Sequence, residues 1–533
     1  MTQATTLPLR MAALALCLAA TGCKVGPNFA EPTAKLGDSF QQAGDPAVAT
    51  DRQTYENWWT AFNDPTLDRL VATAYRENLT LLAAGTRVLE ARATLGIAIG
   101  DFYPQQQQVG AGLNYNRLTG NDPSSTTLQG LGGFWRDSLS ASAAWELDFW
   151  GRFRRGVQAA DAAYLGSIAT YDQVLVTLVG DVGSTYVGIR TLQAQLAIAR
   201  SNVERQKQAL QIARERFRGG ATTGLDVAQA ENVLAQTEAV IPQLTAQLEA
   251  GKATLRVLLG MPAQSIDALL AGAPDVPVPP ENVAVGIPAD LVRRRPDIRA
   301  AELAAAAQSE QVGMALAELY PAFRLSGAFG AASSTVRSNS LGNMFSGSAI
   351  QFAFGPSFSW PILNYGQITN NVRVQDAKLQ GLLVQYQNTV LQAQREVDSA
   401  LAGYIQGGRQ VAALRRSAKA AEEAMRIAMD QYTLGSRDYT TVLTAQQNLF
   451  TAQNNLAAAM GARANSLVSL YRALGGGWQL REGNDFVDDA TRAQMRARTN
   501  WGGVLPPAGA PRPTPPGLPG PADRGPAIRA PQW

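Results

Sequence analysis

The chain has 533 residues, of which 46% are hydrophobic and 17% charged, and 46 Lys and Arg against 43 Asp and Glu leave a net charge of +3. That balance excludes wholesale disorder, and without a dense basic run it excludes a nucleic-acid partner. There is no histidine and there are two cysteines, so catalytic triads and the common metal sites lack their usual residues. The length leaves ample material for a large core or several domains.

The first element is a targeting segment. Residues 11–20 form an apolar run behind Arg10 that is too short to span a bilayer, and residues 1–22 read as a signal peptide that includes Cys17. Ala20-Thr21-Gly22-Cys23 resembles a bacterial lipobox, with Ala20 where Leu is usual. The resemblance implies that Cys23 is acylated and becomes the first residue of the mature chain. Several acyl chains on one Cys anchor stably, whereas one chain does not. Lipidation leaves no free thiol, which removes disulfides, thiol catalysis and thiolate metal sites together. Lys24 follows in place of the Asp that holds lipoproteins at the inner membrane, so sorting to the outer membrane is expected, with outer-membrane lipid as one partner. Residues 23–52 are the lipidated linker.

Beyond the linker the chain repeats itself at a spacing of roughly 215 residues. Phe102-Tyr103-Pro104 returns as Leu319-Tyr320-Pro321, Trp145 to Arg152 returns as Trp360 to Gln367, and Leu258-Leu259-Gly260 returns as Ala473-Leu474-Gly475. Two copies are too few for a solenoid. The expected domains are a first repeat at 53–270, a Pro-rich connector at 271–288, a second repeat at 289–480, and an equatorial segment with a disordered Pro/Gly-rich tail at 481–533. Each copy opens on a helix, 66–99 and then 289–318, the second with Pro296 in its first turn. Two alternating segments follow, 109–118 and 138–149 in the first copy, 323–331 and 350–360 in the second. Their lengths near ten, period of two and terminal aromatics predict membrane-barrel strands.

A long helix comes next, 152–217 and 367–432, about 65 residues and on the order of 100 Å at about 1.5 Å per residue. Val411, Leu414, Ala418, Ala421, Met425, Ala428 and Tyr432 alternate spacings of three and four, the seam of a coiled coil, and Leu192, Leu196, Ala199 and Val203 repeat it. Each rod turns at glycine and returns through 225–259 and 439–474. The fold class is therefore mainly α with a transmembrane β-barrel, built as a duplicated strand pair plus a long coiled-coil helical hairpin. Four strands cannot close a barrel, and an open edge cannot face lipid. Several copies must pool strands, because the smallest membrane barrels have about eight.

Three further stretches carry a close resemblance. Residues Cys23 to Pro32, Leu291 to Glu302 and Tyr471 to Trp478 are similar to characteristic segments of the TolC/OprM family of outer-membrane efflux proteins, in particular its NodT-type lipoproteins, and the resemblance runs over residues 23–480. It implies a homotrimer whose pooled strands make a twelve-stranded barrel above an α-helical periplasmic tunnel. Its implied partners are a periplasmic adaptor (membrane fusion) protein and an inner-membrane RND-type pump. The implied function is the outer-membrane channel of a tripartite efflux system for drugs or other small molecules, with a type I protein-secretion channel as the alternative. It implies no enzyme, no cofactor and no metal.

The turn Gly219-Gly220-Ala221-Thr222-Thr223-Gly224 lacks the Lys of a phosphate loop, because Leu225 stands there, and it reads as a helical-hairpin turn. By the resemblance, residues Gly219 to Thr223 and their counterparts Leu434, Gly435 and Ser436 are the tips that dock the adaptor. The resemblance also places Asp226 and Tyr432 at a periplasmic gate, with Arg437 as donor of a second link whose polar partner is replaced by Leu225. Thr444 occupies a position where relatives often carry a pore-lining Asp. An adhesin or spacer rod, the competing class, predicts no returning helix and no duplicated strand pair.

Overall fold

The structure, a computed structural model, describes residues 24–49, 55–117, 133–272, 275–286, 288–336 and 340–505. The expected signal peptide and Cys23 lie outside the described residues, as does the chain beyond Leu505. The linker carries β1 (Val48–Ala49), and the first copy contains α1 (Pro65–Glu77), α2 (Leu79–Gly100), β2 (Gln106–Asn116), β3 (Phe134–Leu147), α3 (Arg152–Arg218) and α4 (Gly224–Leu258). The second contains β4 (Val283–Ala284), α5 (Pro288–Arg294), α6 (Pro296–Ala317), β5 (Ala322–Ser334), β6 (Ile350–Ser359), α7 (Gln367–Thr433) and α8 (Tyr439–Ala473), followed by α9 (Asp489–Arg498). The rods α3 and α7 have 67 residues each and the returning helices α4 and α8 have 35. Every hairpin boundary of the first copy recurs 215 residues later, 152 at 367, 218 at 433, 224 at 439 and 258 at 473.

The opening helix of each copy differs from the expected single element. In the first copy Asn78 leaves helical geometry at ψ 120°. Its side chain accepts from Leu81 N at 2.8 Å and donates to Leu258 O at 2.9 Å, capping α2 and tying it to the end of α4. In the second copy the break falls at Arg295, because the residue before a proline is pushed out of the α region. Most of the predicted seam is buried, while Leu192, Leu414 and Ala421 are half-buried. Val411, Ala418, Met425, Ala428 and Tyr432 are buried on α7, and Leu196, Ala199 and Val203 on α3.

Where the short return helices end, α3 and α7 take new neighbours: α2 and α6 pack on α3, and α6 also packs on α7. The main core sits at this level around Trp58, Trp59, Tyr171, Tyr386 and Tyr471. Trp58 stacks on Tyr471 with ring centroids 5.5 Å apart. Gly476 is a close approach: a Cβ there would lie 2.7 Å from Tyr55 O. The linker and the connector meet here too, as β1 pairs in parallel with β4 through Val48↔Val283 and Ala49↔Ala284.

Buried arginines tie the copies together. Arg295 donates to both oxygens of Asp297, to Glu396 at 2.8 Å and to the last carbonyl of α8, Ala473 O, at 2.7 Å. Two of the stretches that carry the family resemblance are therefore joined at this one side chain. Arg155, wholly buried, holds Val25 O, Gly26 O and the Glu310 carboxylate at 2.6–2.7 Å. Arg481 pairs with Asp172 of α3, its Nη2 donating to Oδ2 at 3.1 Å, both residues buried. Residues 501–505 are packed: Trp501 Nε1 donates to Met495 O at 3.2 Å, and Leu505 is buried in a small cluster with Leu89, Val487 and Met495, while the rest of the expected tail lies outside the described residues.

Removing one partner of a buried ion pair costs about 3–5 kcal/mol because the other charge is stranded. Asp172→Ala is expected to lower stability by that amount in denaturant unfolding. Asp172→Leu combined with Arg481→Met, which strands no charge, should recover most of the loss.

Candidate functional site

The strands form one antiparallel sheet in the order β2-β3-β5-β6. The register aligns residues across all four strands, for example Val109↔Ala141, Ala141↔Phe329 and Phe329↔Phe352. Side chains alternate faces along each strand. One face therefore collects Val109, Ala111, Leu113 and Tyr115, then Leu139, Ala141 and Ala143, then Leu325, Phe329, Phe352, Phe354 and Phe358. Many of its large side chains are exposed in the single chain. The other face collects Gln106, Gln108, Asn114, Ser138, Ser140, Ser142, Ser326, Gln351 and Ser357. An apolar face for lipid and a small, polar face for a water-filled lumen are what a membrane barrel wall requires.

Aromatic rings mark both ends of the wall. Tyr115 and Trp135 approach to 5.3 Å at the loop end. At the helix end Trp150 stacks on Tyr320 at 4.6 Å, and Phe149 lies 5.3 Å from Phe323. On the lumen face near that end, Glu146 is held between Arg152 at 3.3 Å and Arg324 at 3.1 Å. The observed strand ends lie within about four residues of the expected limits, the last strand starting at Ile350 as expected, and the wall itself has the predicted alternation.

At the far end the two hairpin turns lie side by side. Gly220 and Gly435 have φ of +70° and +74°, a left-handed geometry that costs glycine nothing, and both end a rod in the same way. Thr223 leads into α4, which places Asp226 in its first turn, and α7 places Tyr432 in its last. Tyr432 Oη donates to Asp226 Oδ2 at 3.2 Å, and Thr222 Oγ1 donates to the same carboxylate oxygen. A hydrogen bond to a charged acceptor contributes about 1.5–3 kcal/mol. Burial, and after it the Asp226 carboxylate, raise the Tyr432 phenol above its ordinary range, so it remains a donor at neutral pH. Tyr439 packs edge-on against Tyr432 at 5.2 Å and screens the pair.

The structure thus brings Asp226 and Tyr432 together across the two hairpins of one chain. Arg437 and Thr444 stay apart from them. Arg437 is exposed, and among the described residues its side chain makes no hydrogen bond or ion pair. Thr444, also exposed, donates to Thr440 O one turn back at 2.9 Å. Leu225 and Leu434 are exposed at the two tips beside Gly219, Ala221 and Thr223, with Thr222 turned inward to Asp226.

Sequence reasoning missed Arg216. From the last turn of α3 its Nη1 donates to the carbonyls of Tyr432 and, at 3.3 Å, Thr433, and its guanidinium carbon lies 4.6 Å over the Tyr432 ring. The one signal available was a cation in the last turn of a helix beside a glycine turn, which usually means favourable contact with that helix's own carbonyls. Here the carbonyls belong to the other hairpin. Among the described residues no group of carboxylates is placed to hold a metal ion.

Comparison with known proteins agrees with this architecture. Residues 70–261 and 287–476 match the family described as Outer membrane efflux protein, one segment for each copy. Nodulation protein T of Rhizobium leguminosarum bv. trifolii is 31% identical over 461 residues, covering 86% of this chain and 95% of that protein. The toluene efflux pump outer membrane protein TtgF of Pseudomonas putida is 30% identical over 475 residues, covering 87% and 96%. The solved outer-membrane channel OprN superposes with a TM-score of 0.80 at 31% identity, covering 86% of this chain and all of that one. The duplicated strand-and-hairpin chain therefore belongs to the outer membrane efflux protein family, and its work is passage across the outer membrane, not catalysis.

Proposed function

We propose that the chain is the outer-membrane duct of a tripartite efflux system, receiving drugs or other small molecules through a periplasmic adaptor from an inner-membrane RND-type pump. The observation that carries this reading is the joining of a four-stranded wall to rods of 67 residues, about 100 Å long, in one continuous protomer. A barrel alone would serve as a porin. A barrel with a rod of periplasmic depth has a function only if something meets the rod's far end. The relatives named above include an efflux-pump component, which supports the pump as that partner.

Three copies supply twelve strands from the four of each chain, above the minimum of about eight for a membrane barrel. Acylation of Cys23 anchors the mature end in the outer membrane. Arg155 supports this placement, since it pins Val25 and Gly26 beside Trp150, whose carbonyl accepts from Val25 N at 3.1 Å. The acyl chains then leave the protein next to the aromatic belt at the base of the barrel. Cys23→Ser should abolish labelling by a clickable palmitate, and retained label would remove the anchor from this account.

The tips at Gly219 to Thr223 and at Leu434 to Ser436 dock the adaptor. The exposure of Leu434 and of Leu225 beside the turn supports this, because exposed leucines at a turn facing away from the membrane suit a protein contact. Ala221→Glu with Leu434→Glu should cut adaptor crosslinking and drug efflux while leaving assembly intact; full efflux in that variant argues for docking elsewhere.

The duct must close when idle, because an open tip would leak. Asp226 with Tyr432 is the closing pair, and exposed Arg437 and Thr444 border the constriction. In planar bilayers, Asp226→Ala with Tyr432→Phe should raise single-channel conductance, and cells carrying it should become sensitive to vancomycin. Wild-type conductance and resistance in a normally assembled variant would locate closure on another part of the tunnel wall.

A further inference from the structure

We propose that Arg216 is a second, independent lock of the tip, which holds the α7–α8 hairpin shut by capping the end of α7 from outside its own hairpin. The inference rests on the reading of Asp226 and Tyr432 as a gate. It extends that reading to a residue acting on different atoms.

The geometry separates the two ties. Asp226 grips the Tyr432 phenol, a side-chain atom, from the first turn of α4. Arg216 grips the backbone carbonyls of Tyr432 and Thr433 from the last turn of α3. These carbonyls are among the last four of a helix, which have no intrahelical donors and carry the negative end of its dipole. Leu434 N and Ser436 N turn back to Asp430 O and Gln431 O, and Gly435 N reaches Tyr432 O at 3.0 Å. That pattern leaves the outward side of the Tyr432 and Thr433 carbonyls for a donor from elsewhere. The Arg216 guanidinium carbon also lies 4.6 Å from the centre of the Tyr432 ring, so one Nη1 and a cation–π contact act together on the end of α7.

The duplication shows that this contact is not a by-product of the fold. One repeat length after Arg216 stands Gln431, and one repeat length after Phe217 stands Tyr432. The first hairpin therefore carries the cation and the second carries the ring and the carbonyls that receive it. The cation has no counterpart at the reciprocal position, where Gln431 is neutral. The tie runs one way, from the α3–α4 hairpin to the α7–α8 hairpin, and letting go of it frees the second hairpin to move as a unit.

Two consequences distinguish this lock from the Asp226 pair. Tyr432→Phe removes the phenol and leaves both the ring and the carbonyls, so Arg216 still holds in that background. Lysine keeps the charge but loses the broad guanidinium face over the Tyr432 ring, so it substitutes only in part. The experiment is single-channel conductance of Arg216→Ala, Arg216→Gln and Arg216→Lys, alone and on top of Asp226→Ala with Tyr432→Phe, with assembly checked by native electrophoresis and leak by vancomycin sensitivity.

The expected result is a several-fold rise in conductance for Arg216→Ala and Arg216→Gln, an intermediate value for Arg216→Lys, and a further rise when Arg216→Ala is added to the other two substitutions. Wild-type conductance for all three Arg216 variants, with the Asp226 and Tyr432 variant open, would keep the gate and overturn the role of Arg216. If neither set opens the channel, the gate reading and this inference fall together. Loss of assembly in all three Arg216 variants would show that Arg216 serves assembly and not closure.

Discussion

Unpaired backbone is the constraint on which the rest of this molecule depends. In the sheet β2-β3-β5-β6 the two outer strands each leave one edge open. In hydrocarbon each unmet N–H or C=O costs several kcal/mol, so β2 of one copy must meet β6 of another until the ring closes. Once strands are pooled, the helices attached to them are pooled as well. Arg152 starts α3 only a few residues after β3 ends at Leu147, and Gln367 starts α7 soon after β6 ends at Ser359, so each rod descends directly from the wall. A ring of strands thus dictates a ring of rods. A ring of rods open at the bottom would join the periplasm to the outside, and the gate proposed at the tip answers that leak.

The mismatch between 67-residue rods and 35-residue returns accounts for the middle of the molecule. Below the level of Leu258 and Ala473, α3 is covered by its own return helix α4 and by α8 of the neighbouring hairpin, and α7 by its own return helix α8. Above it, α3 is covered by α2 and α6, and α7 by α6. At the change of partners the return helices end and new ones begin, so orphan carbonyls and caps crowd together. Asn78 meets Leu258 O, and Arg295 meets Ala473 O, at this level. The tryptophans and tyrosines of the main core fill the wider space that the change of partners opens. The family-like stretches around Arg295 and Gly475 are thereby explained as the repeat's joint.

Much of the plan was legible because it is periodic. Alternation over about ten residues specified the strands and their two faces, and spacings of three and four specified the seam from Val411 to Tyr432. The breaks were less legible. Asn78 ends one helix and caps the next with its own Oδ1, while its Nδ2 donates to a carbonyl 180 residues away, a link that no local pattern announces. The pairing of Val48 with Val283 was invisible for the same reason: two residues carry no period. At the tip, Asp226 and Tyr432 were found through resemblance, and their meeting matches the chemistry of a phenol and a carboxylate. Arg216 was not found, since an arginine at a helix end is ordinary and its acceptors are backbone atoms that every residue has.

The sequence by itself determined the duplication, the strand-rod-turn-rod order, the two faces of the wall and the need for more than one copy. These follow from period, length and the pairing demand of backbone in lipid, all of which are local or additive properties. Only the tertiary structure decided which hairpin grips which, where the rods change neighbours, and which arginines are buried. Those outcomes depend on the relative height and rotation of helices that lie far apart along the chain. A guanidinium such as that of Arg216 becomes a lock only when packing sets the open carbonyls of α7 within its reach.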